Sequence, residues 1–294
     1  MKAQLASKPW LWLGIGMLGA GCVPWIASDF VASVALSCLM YIALATSWSL
    51  FCGATRYLSL ATSAFFGLGA YASATLLELL PWPLVILSGA AIASAVAVLM
   101  GAAVLHLRGT YFAVLTFGMT ELIRHAVTFV EKQVSGTVGR VLTVVPSNET
   151  VYLTVLAIAG GAIACAIVVK RSRFGLALAG IGADEQRAQT LGVDTRRIKI
   201  AGFALTAIEP AAVFSPFIGF QTVLIALIGG AASIGGPVLA AVVFSLLAET
   251  LRLQLPYGYM MVLGLLLILC VMYLPNGLAS LWQRRAVPKE RSHG

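Results

Sequence analysis

The sequence predicts an all-α protein, a polytopic bundle of membrane-crossing helices, and three observations carry that reading. Of the 294 residues, 60% are hydrophobic and only 10% are charged, whereas a soluble domain carries about 25% charged residues. So few charges cannot clothe a soluble protein of this size, but they suffice where most of the surface faces lipid and a charge is costly. Apolar runs close to the ~20 residues a spanning helix needs recur along the chain, and hydrocarbon admits only helices or closed barrels. Finally, the charges fall in a few short segments. That is how membrane topology distributes them, so the net charge of +8 is read as topology and not as a nucleic-acid surface.

Taken in order, Lys2 and Lys8 precede an apolar run over 10–26. The outline is that of a signal peptide, but no small-residue cleavage site follows and the next run starts at once at Phe30, so a retained first helix is expected. Further spans are expected over 30–52, 58–77, 84–104, 111–130, 151–169, 200–217, 222–234, 237–251 and 259–274. Runs 222–234 and 237–251 are short. They read either as half-helices or as one bent span, broken at Gly229-Gly230 and Gly235-Gly236-Pro237. Backbone groups freed by such a break need protein or water as partners, so the break is expected to face the bundle interior. The count is about ten spans, or about eight if the broken region does not cross fully.

An even count sorts the charges. The loop 170–199 carries Lys170, Arg171, Arg173, Arg187, Arg196, Arg197 and Lys199. With it fall the N-terminal lysines, Arg56, Arg108 and the tail residues Arg284, Arg285, Lys289 and Arg291, all on the cytoplasmic side. The opposite side receives the mixed set Asp29, Glu78, Glu131, Lys132, Arg140, Glu149 and Arg252. Both termini are therefore expected in the cytoplasm. Residues 1–283 are read as one transmembrane domain and 284–294 as a short basic tail, with no soluble domain.

Little here speaks for catalysis. Cys22, Cys38, Cys52, Cys165 and Cys270 lie in or beside apolar runs without CxxC spacing, and read as small buried hydrophobes. His106, His125 and His293 form no metal-ligand pattern, so neither metal nor cofactor is expected. The chain has no GxxxxGK[ST] loop, no GxSxG elbow and no kinase set. Any energy must come from a partner or an ion gradient.

Three constellations could carry function. Ser59, Ser63 and Gly67 recur every four residues in LSLATSAFFGLGAY (58–71), which would set them on one small helix face. Such a face serves close helix packing, or lines a solute path with the hydroxyls of Ser59, Thr62 and Ser63. In LRGTYFAVLTFGMTELIR (107–124), Glu121 and Arg124 share a face inside an apolar span, and Thr116 and Thr120 extend its polar stripe. Charges at that depth pair and turn inward, either to fix packing or to gate a path. In the loop, GADEQRAQTLG (182–192) reads as a short helix with Asp184 as N-cap, Glu185 at the positive end of its dipole and Gly192 in the left-handed position after its last turn. So short a helix is marginal alone. It rests on its own membrane domain or docks a cytoplasmic partner. Glu209-Pro210 and the pair Glu249/Arg252 are further charges in apolar runs.

At these segments the chain resembles the M-type permease subunit of high-affinity branched-chain amino acid ABC importers. The matching runs are 58–71, 107–124, RSRFGLALAGIGADEQRAQTLG (171–192), IGGAASIGGP (228–237) and PNGL (275–278), in the family's order and covering most of the chain after Tyr41. The resemblance implies an ABC-importer permease fold and a heterodimer with a second, homologous permease subunit. It also implies two cytoplasmic ATP-binding subunits, a periplasmic substrate-binding protein, and the bilayer of the bacterial inner membrane, with no nucleic acid. It implies that Ala183, Asp184, Glu185, Arg187, Ala188, Leu191 and Gly192 form the helix that couples to the ATPase, although only Glu185, Ala188 and Gly192 match the EAA-type pattern. Ser59, Thr62, Ser63, Thr116, Thr120, Glu121 and Arg124 are then candidates for the solute path or its gate. The chain departs from the family at Ser49, at Ala61-Thr62, in the run 135–139, and over 201–227, which is shortened and carries Glu209-Pro210. The same architecture serves urea or short amides. A secondary transporter working alone is the rival reading, with a midplane site at the broken helix.

Overall fold

The computed structural model describes residues 9–107, 109–136, 146–207, 216–230, 233–255, 258–259 and 261–265. Twelve helices run through them: α1 Pro9–Gly21, α2 Val23–Ile26, α3 Asp29–Thr55, α4 Thr62–Leu76, α5 Trp82–Val104, α6 Thr110–Ser135, α7 Asn148–Arg171, α8 Arg173–Ala183, α9 Glu185–Thr190, α10 Thr195–Leu205, α11 Pro216–Gly229 and α12 Gly235–Gln254. Five of these are long and apolar enough to cross a membrane, namely α3, α5, α6, α7 and α12, and shorter apolar helices cover Leu13–Ile26, Arg173–Ala183 and Ile218–Gly229. The protein is an all-α polytopic membrane bundle.

Its axis is α3. From Tyr41 to Cys52 every residue of that helix is buried, which marks a helix enclosed all round and not one with a single covered stripe. Helices α7, α8, α10, α11 and α12 pack around it, while α4 sits between α5, α6 and α11. Among the described residues α6 is the least enclosed of the five long helices: Phe112, Thr116 and Thr120 are buried against the bundle, but Tyr111, Val114, Leu122 and Phe129 stand exposed.

Four expectations change. The run 10–26 is not one helix. Pro24, which has no N–H to give to a ladder, lies in the first turn of the short α2, and the chain restarts there after Cys22. The run 58–77 becomes helical only at Thr62, after a non-helical link that follows Arg56 in the left-handed conformation (φ 60°). The loop 170–199 is three capped helices in series. Ser172, Asp184 and Asp194 each accept a backbone N–H at the start of α8, α9 and α10. The span expected from residue 200 is the end of α10, which begins at Thr195 within that loop and stops at Leu205.

The glycine-rich break separates two helices. Gly229 of α11 and Gly236 of α12 lie so close that a Cβ on Gly236 would fall 1.9 Å from the Gly229 carbonyl oxygen. Glycine here lets two backbones meet, and α12 then runs a full 20 residues. Arg108, Arg140, Glu209, Pro210, Cys270, the run 275–278, most of 259–274 and the tail 284–294 lie outside the described residues, as does all of the run 135–139 beyond Gly136.

Candidate translocation and coupling sites

The link between α3 and α4 organises the first site. A non-helical segment inside a bundle needs partners for its backbone. Trp48 Nε1 donates to the Ser59 carbonyl at 2.8 Å, and Ser59 Oγ accepts from Ala61 N–H at 3.2 Å. Thr116 Oγ1 accepts from Leu60 N–H at 3.1 Å, and Thr120 Oγ1 donates to the Leu60 carbonyl at 3.2 Å. Ser59 therefore does not share a helix face with Ser63 and Gly67. It belongs to the link, and with Thr116 and Thr120 it supplies the link's hydrogen bonds. Ser63 does lie on α4, where its Oγ would be 2.8 Å from a Cβ placed on Gly219 of α11. That spacing is close helix packing. Thr62 opens α4 and is half-buried.

Glu121 and Arg124 pair as their spacing predicts, with Arg124 Nε donating to Glu121 Oε2 at 2.9 Å. They do not turn into this chain's core. The Glu121 and Arg124 side chains keep 26% and 39% of their exposure, with His125 beside them at 3.9 Å, on the same uncovered helix as Leu122 and Phe129.

The second site is the end of the bundle that carries α8, α9 and α10. Asp184 Oδ1 accepts from Gln186 N–H at 3.0 Å and Arg187 N–H at 3.1 Å, capping α9 as its position implies. Gly192 takes the left-handed conformation (φ 83°). Its N–H donates to Gln189, and the Val193 N–H donates to Ala188, the paired bonds of a Schellman close. Ala188 is buried, while Ala183, Arg187 and Leu191 face outward, Leu191 at 83% exposure.

Glu185 is different. Its side chain is buried, with Oε1 2.7 Å from Lys199 Nζ and Oε2 accepting from the Tyr57 hydroxyl at 2.7 Å. Lys199 Nζ also donates to the Leu105 carbonyl at 2.8 Å and to Tyr57 Oη at 3.3 Å. The three ammonium donors thus meet three acceptors. The lysine also lies over the Tyr57 ring, 4.9 Å from its centroid. Below it Phe203 stacks edge-on against Phe51, Phe65 and Phe112, and Tyr57 against Phe112.

Sequence reasoning misses Lys199 and Tyr57, the first because it counts as one more topological charge. A signal exists: Thr195, Lys199, Phe203 and Ala207 follow at helical spacing and are all buried, so Lys199 lies on the apolar stripe of its helix. Tyr41 and Gln221 are missed as well. Tyr41 Oη donates to Gln221 Oε1 at 2.8 Å across the α3–α11 contact. Gln221 stands just outside the apolar run 222–234, where a single amide gives no periodic signal.

A largely apolar cleft of about 690 Å³ opens between α1, α3, α7 and α12, lined by residues such as Met17, Ile42, Leu156 and Ile167 with Lys170 and Arg171 also on its wall, and it touches none of the predicted path residues. Its lining suits an apolar chain better than a polar solute. Among the described residues no group of His, Cys, Asp and Glu could hold a metal ion.

The chain is similar in sequence to known proteins. The family model for the branched-chain amino acid transport system permease component matches residues 30–272. The high-affinity branched-chain amino acid transport system permease protein LivM of Escherichia coli strain K12 is 24% identical over 305 aligned positions, covering 87% of this chain and 71% of that protein. The LivM of Salmonella typhimurium strain LT2 is 23% identical over the same shares. No solved structure matches the chain.

Proposed function

This chain belongs to the family of permease components of branched-chain amino acid transport systems, and from that premise we propose that it is the membrane-crossing permease subunit of an ATP-driven importer for branched-chain amino acids in a bacterial inner membrane. The family match over residues 30–272 is the observation that carries this reading. The chain has no phosphate-binding loop of its own. Two cytoplasmic ATP-binding subunits supply the energy, and a periplasmic binding protein supplies the substrate.

A second, homologous permease covers the open side of α6. This is supported by Glu121, Arg124 and His125 on the long helix that the described residues enclose least. Facing hydrocarbon such charges are costly, whereas facing a partner or an aqueous path they are not. The path then runs between the two permeases, with Glu121 and Arg124 at its wall. Ser59, Thr116 and Thr120 act behind it by holding the α3–α4 link, and Thr62 and Ser63 by seating α4. Residues 1–283 form the permease domain, with the tail 284–294 and the N-terminus cytoplasmic.

Helix α9 is the contact for the ATPase. It ends in an exposed Leu191 with Arg187 alongside, an apolar knob with a basic rim. ATP binding favours one membrane conformation over the other, and α9 carries that preference inward.

The test is reconstitution in liposomes with the neighbouring permease, the ATPases and the binding protein. Leucine, isoleucine or valine uptake that requires ATP and the binding protein is the expected result. Uptake by this chain alone, driven by an ion gradient, would overturn the reading, and ATP-dependent uptake of urea in place of leucine would overturn the substrate.

A further inference from the structure

A buried ion pair joins the outer helix α9 to both links that enter the path-bearing helices. Glu185 opens α9. Lys199 reaches it from α10, and the same ammonium donates to Tyr57 in the link before α4 and to the carbonyl of Leu105 in the link before α6. Tyr57 closes the triangle by donating to Glu185. All three side chains are buried.

The physics of such a cluster is asymmetric. Two charges out of water contribute little net stability even when well paired, but parting them strands a charge and is strongly opposed. A push on α9 therefore moves the links more readily than it opens the pair. The links lead straight to the path. Residues beyond Tyr57 are hydrogen-bonded to Thr116 and Thr120 of α6 and continue into α4, and Leu105 precedes the start of α6 at Thr110.

We propose that Lys199 is the positioning residue of energy coupling: it clasps Glu185, Tyr57 and Leu105 so that α9 and the feet of α4 and α6 move as one body. This rests on the importer reading above. The clasp contacts neither substrate nor nucleotide. It converts a displacement of a six-residue helix, too short to be rigid by itself, into a displacement of the path wall.

The experiment uses the full complex in liposomes and compares wild type with Lys199→Arg and with the double variant Lys199→Met plus Glu185→Gln. The double variant removes both charges of the pair together. Amino acid accumulated per ATP hydrolysed is measured, together with co-purification of the ATPases. The double variant keeps the ATPases and hydrolyses ATP, but its transport per ATP falls on the order of tenfold, while Lys199→Arg stays near wild type. Should the double variant fail to assemble, Tyr57→Phe removes only the bridging hydroxyl and is expected to lower the same ratio.

Amide hydrogen exchange on the purified chain gives a readout independent of transport. In the double variant exchange rises together at residues 56–61 and 185–191. An unchanged ratio, or faster exchange at 185–191 alone, overturns the clasp. If the wild-type complex does not transport at all, the importer reading fails, and the exchange result still decides whether the clasp exists.

Discussion

At the scale of single residues, the peptide groups of Leu60 decide what two threonines do. Thr116 accepts the Leu60 N–H at 3.1 Å, while the one proton of Thr120 is shared between the Thr116 carbonyl at 2.9 Å and the Leu60 carbonyl at 3.2 Å. Valine matches threonine in shape and removes the hydroxyl. Thr116→Val then leaves a backbone donor without its acceptor, at a cost of about 1–3 kcal/mol. Thr120→Val costs less, because Leu60 loses only the longer half of a shared bond. Thermal unfolding of the purified variants in detergent should rank them in that order, and the reverse ranking would show that Thr116 does not hold the link. Gly182 makes a second prediction. A Cβ there would sit 2.0 Å from the Ala54 carbonyl oxygen, which is backbone and cannot swing away. Gly182→Ala therefore drives α8 from the end of α3, with a loss of about 1–3 kcal/mol and a lower melting temperature. A melting temperature at or above wild type would contradict that packing.

At the scale of elements, α9 is stabilised from outside itself. Six residues cannot sustain a helix, so its cap, its Schellman close and its buried pair must do so. Asp184 supplies the cap, and its ion pair with Arg187 at 3.3 Å joins a half-exposed carboxylate to an exposed guanidinium, which adds little. Asp184→Ala is expected to cost about 1 kcal/mol through the lost cap, and Asp184→Asn, which can cap as well, far less. Amide exchange over 185–191 separates the two. Equal protection in both variants would mean that the packing of Glu185 and Ala188 alone holds the helix. Helix α6 presents the opposite case. It is long, buried at Phe112, Thr116 and Thr120, and exposed on its other flank at Tyr111, Val114, Leu122 and Phe129.

At the scale of the whole molecule, the proposed orientation rests on charge placement. The basic series from Lys170 to Lys199 runs from the end of α7 into α10, and Tyr57, next to Arg56 in the α3–α4 link, contacts it through Glu185 and Lys199. Positive segments stay in the cytoplasm. In a background stripped of its native cysteines, Arg187→Cys should be labelled by a membrane-impermeant maleimide only in inside-out vesicles, and Glu78→Cys only in intact spheroplasts. Labelling of both from one side would break the proposed topology, and with it the docking role of α9.

Features that depend on short-range composition and on the solvent are legible in the chain before it folds. Low charge and long apolar runs demand a helical membrane protein, whatever its topology. Asp184 and Gly192 mark the ends of α9 because caps are read within a turn of the chain. The spacing of Glu121 and Arg124 likewise announces their pair. Long-range packing was needed to make the segment before Thr62 a link and not a helix. Its backbone is satisfied by Trp48 and by Thr116 and Thr120, the last two more than a helix away in the chain. The same packing turned Glu185 inward to Lys199 and Tyr57. Local propensity sees a charge in a polar loop; three-dimensional packing encloses that charge with its counter-charge, and burial makes the pair consequential.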